Sequence, residues 1–495
     1  MINLKDEAIN LLNNLDMGYM GGMAYDTAWI AKVPLNQTSK KPLFPQALLW
    51  LFSNQNNDGS WGASFEYFHD RIISTLASII TLARTHRADK FKNNIKLGES
   101  YIWYHIKDLK DGEHETVAFE LLYPSLMKEA ESLNLNLPYH EKLYVEEREK
   151  KLILGYSDLL SKRTSTITYS LEHLGDNSRF ENISTIQSEN GSIGNSPAAT
   201  AFILMQEYDQ WAYNYIQKVL RYNYDSSMGL YPFEIFEKAW VLDNYFFADI
   251  PIKSHYKNDL MYLKENWSDD GISMSVTYPS KDLDDTAVVF KLLNNNNTKL
   301  NFEIFTKYFA KDHFKCYYSE RDPSIVVQIR VLDAIKNLDK FEQKDDYIDA
   351  IIAYLKSHQS PEGFWMDKWN ASPFYTTNLA IRAIDDLESD LTSRALDWFL
   401  KNQNENGSWG KSDGTVEETA YGVQALAYYH KNIEKIEAGV IEKAVDFLMD
   451  NYYDENYPEL WIGKALYAPK NVIKSAIISA LYYYHTQIQA LRTDS

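Results

Sequence analysis

Apolar residues recur along this chain at intervals of three and four positions, the spacing of one face of an amphipathic helix. Residues 332–338 and 423–429 show the pattern clearly. Segments that alternate apolar and polar residues, as half-exposed strands do, are scarce. No run of about 18 apolar residues occurs, so no segment is predicted to span a membrane. The pattern predicts a nearly all-α protein.

A repeated unit marks the ends of several predicted helices. An aromatic residue is followed after five positions by Gln, after four more by Gly and after two more by Trp. Gly suits a helix end, the Gln amide can bond free backbone groups, and the Trp ring can pack on the next helix. These residues are therefore predicted to be structural. Complete copies occupy residues 50–61, 354–365 and 398–409, and a worn copy occupies 187–193.

Three carboxyl groups lie within the segment Asp282-Leu283-Asp284-Asp285-Thr286-Ala287. So close together they cannot all ionise cheaply, and at least one tends to stay protonated near neutral pH. The segment can be a proton donor, a helix N-terminus, where Asp is favourable, or the D-x-D-x-T motif of haloacid-dehalogenase phosphatases, with Asp282 as nucleophile and Asp284 as general acid. The phosphatase motif follows a buried strand. Pro279 stands where that strand should run, which counts against a phosphatase.

The length and amino-acid composition of the chain limit the kinds of protein that it can be. A chain of 495 residues suggests two or three domains. The net charge of −19 argues against a nucleic-acid partner. The single cysteine, Cys316, excludes an intramolecular disulfide and, with no signal-peptide pattern at the N-terminus, predicts a cytoplasmic protein. The 36 Tyr, 22 Phe and 12 Trp mostly indicate a packed core, but their rings can also stabilise a cation.

Several ordered segments resemble those of class II diterpene cyclases. The acid motif, the Gln-Trp repeats and YDTAWIA at 25–31 all match that family, and the short bacterial halimadienyl (tuberculosinyl) diphosphate synthases are the best comparison. The resemblance implies two α/α barrels without the class I α domain of many plant relatives. It places a γ domain at 20–205 and a β domain at 206–495, with residues 1–19 as a helix of the β domain. Further matching segments are FELLYPSL (119–126), SPAATAF (196–202), FEIFEKAW (233–240), WMDKW (365–369), EETAY (417–421) and LWIGK (460–464).

The resemblance also implies a reaction. Members of the family cyclise a prenyl diphosphate, usually geranylgeranyl diphosphate, and keep the diphosphate. Asp284 is the expected acid that protonates a carbon–carbon double bond, Asp282 and Asp285 are expected to tune it, and Thr286 to cap the following helix. A copalyl diphosphate synthase, a drimenyl-type cyclase of farnesyl diphosphate, a squalene-type triterpene cyclase and a silent prenyl-binding barrel remain alternatives.

The same resemblance suggests binding residues. An acidic segment corresponds to the family's Mg²⁺ site, with Glu120 and Glu113 as expected ligands. Arg71, Lys162, Arg163 and Lys464 are candidate contacts of the diphosphate, although surface salt bridges explain them equally well. Trp240, Trp365, Trp369 and Tyr375 are candidates for an aromatic wall, and Trp365 is also a repeat residue.

A few individual positions bear on the product and on the partners. Tyr169 and Gly229 stand where ent-copalyl enzymes carry a His and an Asn, so a rearranged halimadienyl or clerodienyl skeleton is expected. The string of Asp345, Asp346 and Asp349 has the class I DDxxD form, but it lacks a second metal motif and is predicted to be an exposed helix start. A downstream class I synthase or phosphatase and a homodimer are possible partners.

Overall fold

The computed structural model describes residues 2–110, 114–161, 166–175, 183–318, 320, 322–339, 341–384, 387–411 and 413–489. Apart from isolated bridges, strand structure in these residues is limited to one hairpin, of β1 (Trp461–Ile462) and β2 (Leu466–Tyr467). None of the described helices is both long and apolar enough to cross a bilayer. The α-helices of this part are α1 (Leu4–Asn13), α2 (Ala24–Lys32), α3 (Pro45–Ser53), α4 (Phe68–Arg84), α5 (Lys92–His105), α6 (Phe119–Ser132), α7 (Val145–Ser161), α8 (Pro197–Gln206), α9 (Gln210–Tyr222), α10 (Glu234–Phe247), α11 (Lys257–Glu265), α12 (Leu283–Asn295), α13 (Ile325–Ile335), α14 (Lys344–His358), α15 (Pro373–Ile384), α16 (Ser389–Lys401), α17 (Val416–Asn432), α18 (Ala438–Asp450) and α19 (Lys470–Tyr483).

The first part of the chain forms a closed ring of helices. In succession α2, α4, α6, the 3-10 segment Thr166–Leu174 and α8 contact one another, and α8 returns to α2. An outer layer of α3, α5, α7 and α9 covers this ring, each helix against an inner neighbour. The inner helices are buried on almost every side, which explains why α2 and α8 carry few charges.

The second part forms a ring of six inner helices. In succession α10, α12, α13, α15, α17 and α19 contact one another, and α19 returns to α10. The outer helices are α11, α14, α16, α18 and the N-terminal α1, which packs on α19. This alternation of inner and outer helices is an α/α barrel, and it follows from the amphipathic pattern of the outer helices.

Each barrel has its own hydrophobic core. The first core contains residues between Met20 and Phe233, and the second contains Ala8 and Leu12 of α1 together with residues between Ile235 and Ile488. The change of core therefore lies next to Phe233. Helix α9, which the boundary at residue 205 assigned to the β domain, packs in the core of the first barrel instead.

The β1–β2 hairpin of the second barrel reaches into the first. Ala465, in its turn, belongs to the first core. The Leu466 N–H donates to Asp70 Oδ1 at 3.1 Å, and the Gly463 carbonyl accepts the Val117 N–H at 2.8 Å. On its other side the Ile462 N–H donates to the Trp369 carbonyl at 2.9 Å. The hairpin thus joins the two barrels.

The repeated units have the structural role that the sequence predicted. In the first copy the Gln55 amide donates to the carbonyl of Gly59 at 2.8 Å, and the Trp61 indole N–H donates to the carbonyl of Leu51 at 2.8 Å. The worn copy keeps the Gln bond, from Gln187 to Gly191 at 3.0 Å. The corresponding bonds in the other complete copies join Gln359 to Gly363, Trp365 to Leu355, Gln403 to Gly407 and Trp409 to Phe399.

The acidic string at 345–349 also lies where it was predicted. Asp345 and Asp346 occupy the first turn of α14, and these two side chains and that of Asp349 are exposed on the outside of the second barrel. Acidic residues are favourable at this end of a helix.

Candidate active site

The acid motif forms the start of α12. Asp282 is the N-cap residue, and its Oδ1 accepts the backbone N–H of Asp285 at 2.8 Å. The expectation that Thr286 caps the helix is wrong, because Asp282 does so. The Thr286 hydroxyl oxygen accepts the Ile272 N–H at 3.1 Å instead. The motif is therefore a helix N-terminus as well as a cluster of carboxyl groups. Since no strand precedes it, the phosphatase interpretation is wrong.

Burial raises the pKa of all three carboxyl groups. Burial raises the pKa of Asp282 and of Asp284 to about 7, and it raises the pKa of Asp285 well above its ordinary value. For Asp285 the charges of Asp282 and Asp284 add to the effect. Asp284 is the most exposed of the three and has a buried Oδ1 without a hydrogen-bond partner among the described residues. Because Asp284 is the least buried of the three, it is the carboxyl group best placed to give its proton to a ligand.

Arg330 is the cation that acts most strongly on Asp284. It is the largest opposing influence on Asp284, since its positive charge lowers the pKa that burial raises. Its guanidinium donates to Asp243 Oδ2 at 2.7 Å and to the Tyr375 hydroxyl at 3.2 Å, so its position is fixed. A fixed cation beside the acid strengthens that acid, because it stabilises the carboxylate left after proton transfer.

Five aromatic side chains, Phe236, Trp240, Tyr375, Tyr421 and Trp461, form a continuous surface that we call the aromatic wall. Phe236 stacks on Trp240 at 4.2 Å, and Trp461 and Tyr421 lie 4.8 and 5.3 Å from the ring of Tyr375. Trp240, Tyr375, Tyr421 and Arg330 are among the residues that line a small cavity in the second barrel. Burial raises the pKa of Tyr375, and the charge of Asp284 adds to this effect, so the acid acts electrostatically on the aromatic wall. Such ring faces can stabilise a carbocation.

The other predicted aromatic residues lie in different settings. Trp369 is half-buried beside the hairpin, with the Lys368 ammonium 4.8 Å from its ring. Tyr169 donates to the Gly229 carbonyl at 3.1 Å and contacts Tyr278 edge-on at 6.5 Å. Trp365 is fully buried and makes the contacts of its repeat. Roles of these three in substrate binding stay predictions.

The candidate contacts of the diphosphate divide into two groups. Lys162 and Arg163 lie outside the described residues. Arg71 is buried, and its guanidinium donates to Asp58 at 3.1 Å and to Ser60 at 2.6 Å in the first repeat. Lys464 is fully buried where the hairpin meets the first barrel. Their binding of a diphosphate is not tested by these contacts.

The candidate metal ligands are only partly described. Glu113 lies outside the described residues. Glu120 is buried at the start of α6 and forms an ion pair with Lys151. No group of three or more His, Cys, Asp or Glu side chains close enough to hold a metal ion occurs in the described parts of the chain. Glu120 is the right kind of donor for Mg²⁺, but it needs oxygen atoms from another source to complete the coordination.

Several residues of the site were missed in the sequence. Arg330 stands alone in the apolar stretch of α13, and Asp243 and Glu417 lie on the inner helices α10 and α17. A charged residue on a helix that is otherwise buried was the signal that could have found them, since such a charge must have a partner. The same signal could not identify Trp461, because in the sequence an uncharged Trp cannot be distinguished from an ordinary core residue.

Similarity to a protein of nearly equal length shows the family to which this chain belongs. The Type B diterpene cyclase of Mycobacterium tuberculosis is 32% identical over 484 residues, which cover 92% of this chain and 94% of that protein. This chain belongs to the class II diterpene cyclases. A bifunctional levopimaradiene synthase of Pinus contorta is 31% identical over 334 residues, which are 66% of this chain but only 39% of the plant protein. The model of the squalene-hopene cyclase C-terminal domain matches residues 317–432.

Solved structures agree on the architecture. The ent-copalyl diphosphate synthase of Streptomyces platensis matches 98% of this cyclase and 100% of its own chain with a TM-score of 0.80 at 24% identity, which supports the fold alone. The Arabidopsis thaliana ent-copalyl diphosphate synthase, in complex with (S)-15-aza-14,15-dihydrogeranylgeranyl thiolodiphosphate, matches 99% of this cyclase and 65% of its own chain, with a TM-score of 0.73 at 25% identity. The predictions of paired α/α barrels and of a class II diterpene cyclase are confirmed.

Proposed function

We propose that this cyclase converts geranylgeranyl diphosphate into a bicyclic diterpenyl diphosphate and keeps the diphosphate. The observation that carries the proposal is the position of Asp284. Asp284 combines a raised pKa, an oxygen without a hydrogen-bond partner among the described residues, and the electrostatic influence of Arg330, a fixed cation that also donates to Tyr375 of the aromatic wall. These are the properties that protonation of an alkene requires.

The reaction begins with transfer of the Asp284 proton to the terminal double bond of the substrate. The π electrons form the new C–H bond and leave a tertiary carbocation, which the next double bonds attack in turn to close two rings. Arg330 stabilises the carboxylate that remains on Asp284, and the aromatic wall stabilises the migrating positive charge. Asp282 and Asp285 titrate together with Asp284 and hold it in position.

The end of the reaction determines the skeleton. Loss of a proton from the bicyclic cation restores neutrality and forms a double bond. Tyr169 and Gly229 bond each other where the ent-copalyl enzymes carry a His and an Asn, so that pair cannot act as the base here. A longer-lived cation has time for hydride and methyl shifts. We therefore favour a halimadienyl or clerodienyl diphosphate, with copalyl diphosphate as the second candidate.

Mg²⁺ is proposed to neutralise the diphosphate. Glu120, with Glu113, would hold the ion together with oxygen atoms of the substrate, and Arg71, Lys162, Arg163 and Lys464 remain the proposed basic contacts. Removal of Mg²⁺ with a chelator is expected to lower turnover. Turnover that is unchanged by chelation would remove the metal from the proposal.

The proposal is tested by the product. The purified protein is incubated with geranylgeranyl diphosphate, the product is dephosphorylated, and its mass and retention time are compared with standards of halimadienol, clerodienol and copalol. A bicyclic C20 alcohol is expected, without free pyrophosphate before dephosphorylation. Release of pyrophosphate in step with turnover would contradict it, and turnover of farnesyl diphosphate alone would favour the drimenyl alternative. The full-length similarity to a diterpene cyclase disfavours a squalene-type substrate.

The retained diphosphate also indicates which enzymes would act on the product. An intact diphosphate is the substrate of a class I synthase or of a phosphatase, so one of these would consume the product. The single cysteine favours a reducing compartment such as the cytoplasm, and a homodimer remains a proposal.

A further inference from the structure

Glu417 lies directly behind the aromatic wall. It stands on α17, one turn before Tyr421, and its side chain is fully buried. Its Oε1 accepts the indole N–H of Trp461 at 2.8 Å and the hydroxyl of Tyr421 at 2.9 Å. One oxygen therefore holds two members of the wall, which come from different elements of the fold.

The second oxygen of Glu417 is buried as well, and it has no hydrogen-bond partner among the described residues. A buried carboxyl group is unfavourable unless it is paired, so this position calls for a reason. Stability of the fold does not explain a carboxyl group here, because an amide or an apolar side chain could fill the same space without the cost of desolvating a carboxyl group.

The two side chains that donate to Glu417 both contact the ring of Tyr375. Tyr421 meets that ring edge-on at 5.3 Å, and Trp461 meets it at 4.8 Å. A hydrogen bond from a ring substituent to a carboxylate increases the electron density of the ring, and electron-rich faces attract cations more strongly. Negative charge behind the wall therefore acts on positive charge in front of it.

We infer that Glu417 is a positioning residue of the reaction, which orients Trp461 and Tyr421 and makes their rings stronger binders of the carbocation. The inference rests on the proposed function and names a residue that acts through the wall, without touching the substrate. Burial raises the pKa of Glu417 to about 8, so the group is mainly protonated at neutral pH while the site is empty. A cation beyond the wall favours the charged form, so the negative charge develops together with the carbocation.

The neighbouring Glu418 provides a matched control. It is also buried on α17, but its oxygens accept the Ser372 hydroxyl at 2.7 Å and the Thr415 hydroxyl at 3.0 Å, and within the described part of the chain it makes no hydrogen bond to the aromatic wall. Glu417→Gln and Glu418→Gln each replace a buried carboxyl group by an amide at adjacent positions. Tyr421→Phe keeps the ring and removes one of the two hydrogen bonds to Glu417.

The turnover test compares these variants with geranylgeranyl diphosphate, after circular dichroism and melting curves have established that each is folded. For Glu417→Gln we expect kcat to fall about tenfold, the share of side products to rise and KM to stay within about twofold. Tyr421→Phe should give a smaller change in the same direction, and the double variant should lose little more than Glu417→Gln. An unchanged kcat and product mixture in folded Glu417→Gln, or an equal change in Glu418→Gln, would overturn the inference.

A binding test separates the inference from the proposed function. Two stable substrate analogues with a non-hydrolysable diphosphate are titrated calorimetrically at pH 8, one with an ammonium nitrogen in place of a cationic carbon and one neutral. Glu417→Gln should weaken the cationic analogue about tenfold and leave the neutral one unchanged. Equal affinity of wild type and Glu417→Gln for the cationic analogue would overturn the inference, while failure of the wild type to bind either analogue would contradict the proposed function and the inference together.

Discussion

At the scale of single residues, the protonation of Asp284 is set mainly by its surroundings. The sequence predicted a proton donor from three adjacent carboxyl groups, and mutual repulsion does contribute. Burial is nevertheless the largest cause of the raised pKa of Asp284, and Arg330 is the main opposing influence. Neither effect can be predicted from residues 282–287, because both depend on helices that lie far away in the chain.

The raised pKa leads to a pH dependence. Asp284 must carry its proton to react, and its pKa of about 7 means that this form predominates below pH 7 and decreases about tenfold per unit above it. Activity is therefore expected to be lost as pH rises through about 7. Asp282 titrates in the same range, so the apparent pKa belongs to the cluster. Single-turnover rates between pH 5.5 and 9 measure it, and a rate that stays constant up to pH 9 would argue against a carboxylic acid as donor.

At the scale of elements, the repeats were predicted well because each one is local in sequence. The order of Gln, Gly and Trp fixes a helix end, and the structure repeats the same bonds three times. The β1–β2 hairpin was not predicted. Its strands have two residues each, and they are held by partners on both barrels, so no periodic pattern marks them.

The Gly of a repeat gives a test at this scale. Gly407 has φ +89°, and a Cβ there would lie 2.5 Å from the Lys443 carbonyl oxygen. We expect Gly407→Ala to lower the free energy of unfolding by about 1–3 kcal/mol, because both the backbone conformation and the contact are unfavourable. In Gly439→Ala, by contrast, the Cβ would meet nothing nearer than 3.8 Å, and the change should be neutral or slightly stabilising. Urea denaturation measures both, and equal stability of the two variants would show that Gly407 is not required.

At the scale of the whole molecule, the hairpin and a buried ion cluster hold the two barrels together. The Lys464 ammonium donates to Glu172 at 2.7 Å, to Ser196 at 2.6 Å and to the Tyr169 carbonyl at 3.0 Å, and it lies 3.6 Å from Asp26. Lys464 comes from the second barrel and its partners come from the first. These buried contacts of Lys464 could not be predicted from the sequence, because they depend on how the two barrels meet.

Removal of this cation should destabilise the protein strongly. Lys464→Met leaves Glu172 and Asp26 buried without their counter-charge, a loss that we expect to be about 3–5 kcal/mol. Burial already raises the pKa of Asp26 to about 7, and Lys464 lowers it, so without Lys464 the carboxyl group needs a proton to stay buried. The loss should therefore be larger at pH 8 than at pH 6. Chemical denaturation at both pH values measures it, with the exposed Lys443→Met as control; a loss below 1 kcal/mol at pH 8 would contradict this role.

The central claim, that Asp284 starts the reaction by protonating the substrate, is tested most directly by the mass of the product formed in D₂O. Because the acid exchanges its proton with solvent, the diterpenyl diphosphate should contain one deuterium on a carbon atom, at the end where cyclisation begins. Asp284→Asn, which has nearly the same shape but no acidic proton, should form no product while remaining folded. A product without deuterium, or one formed at the wild-type rate by folded Asp284→Asn, would contradict the account.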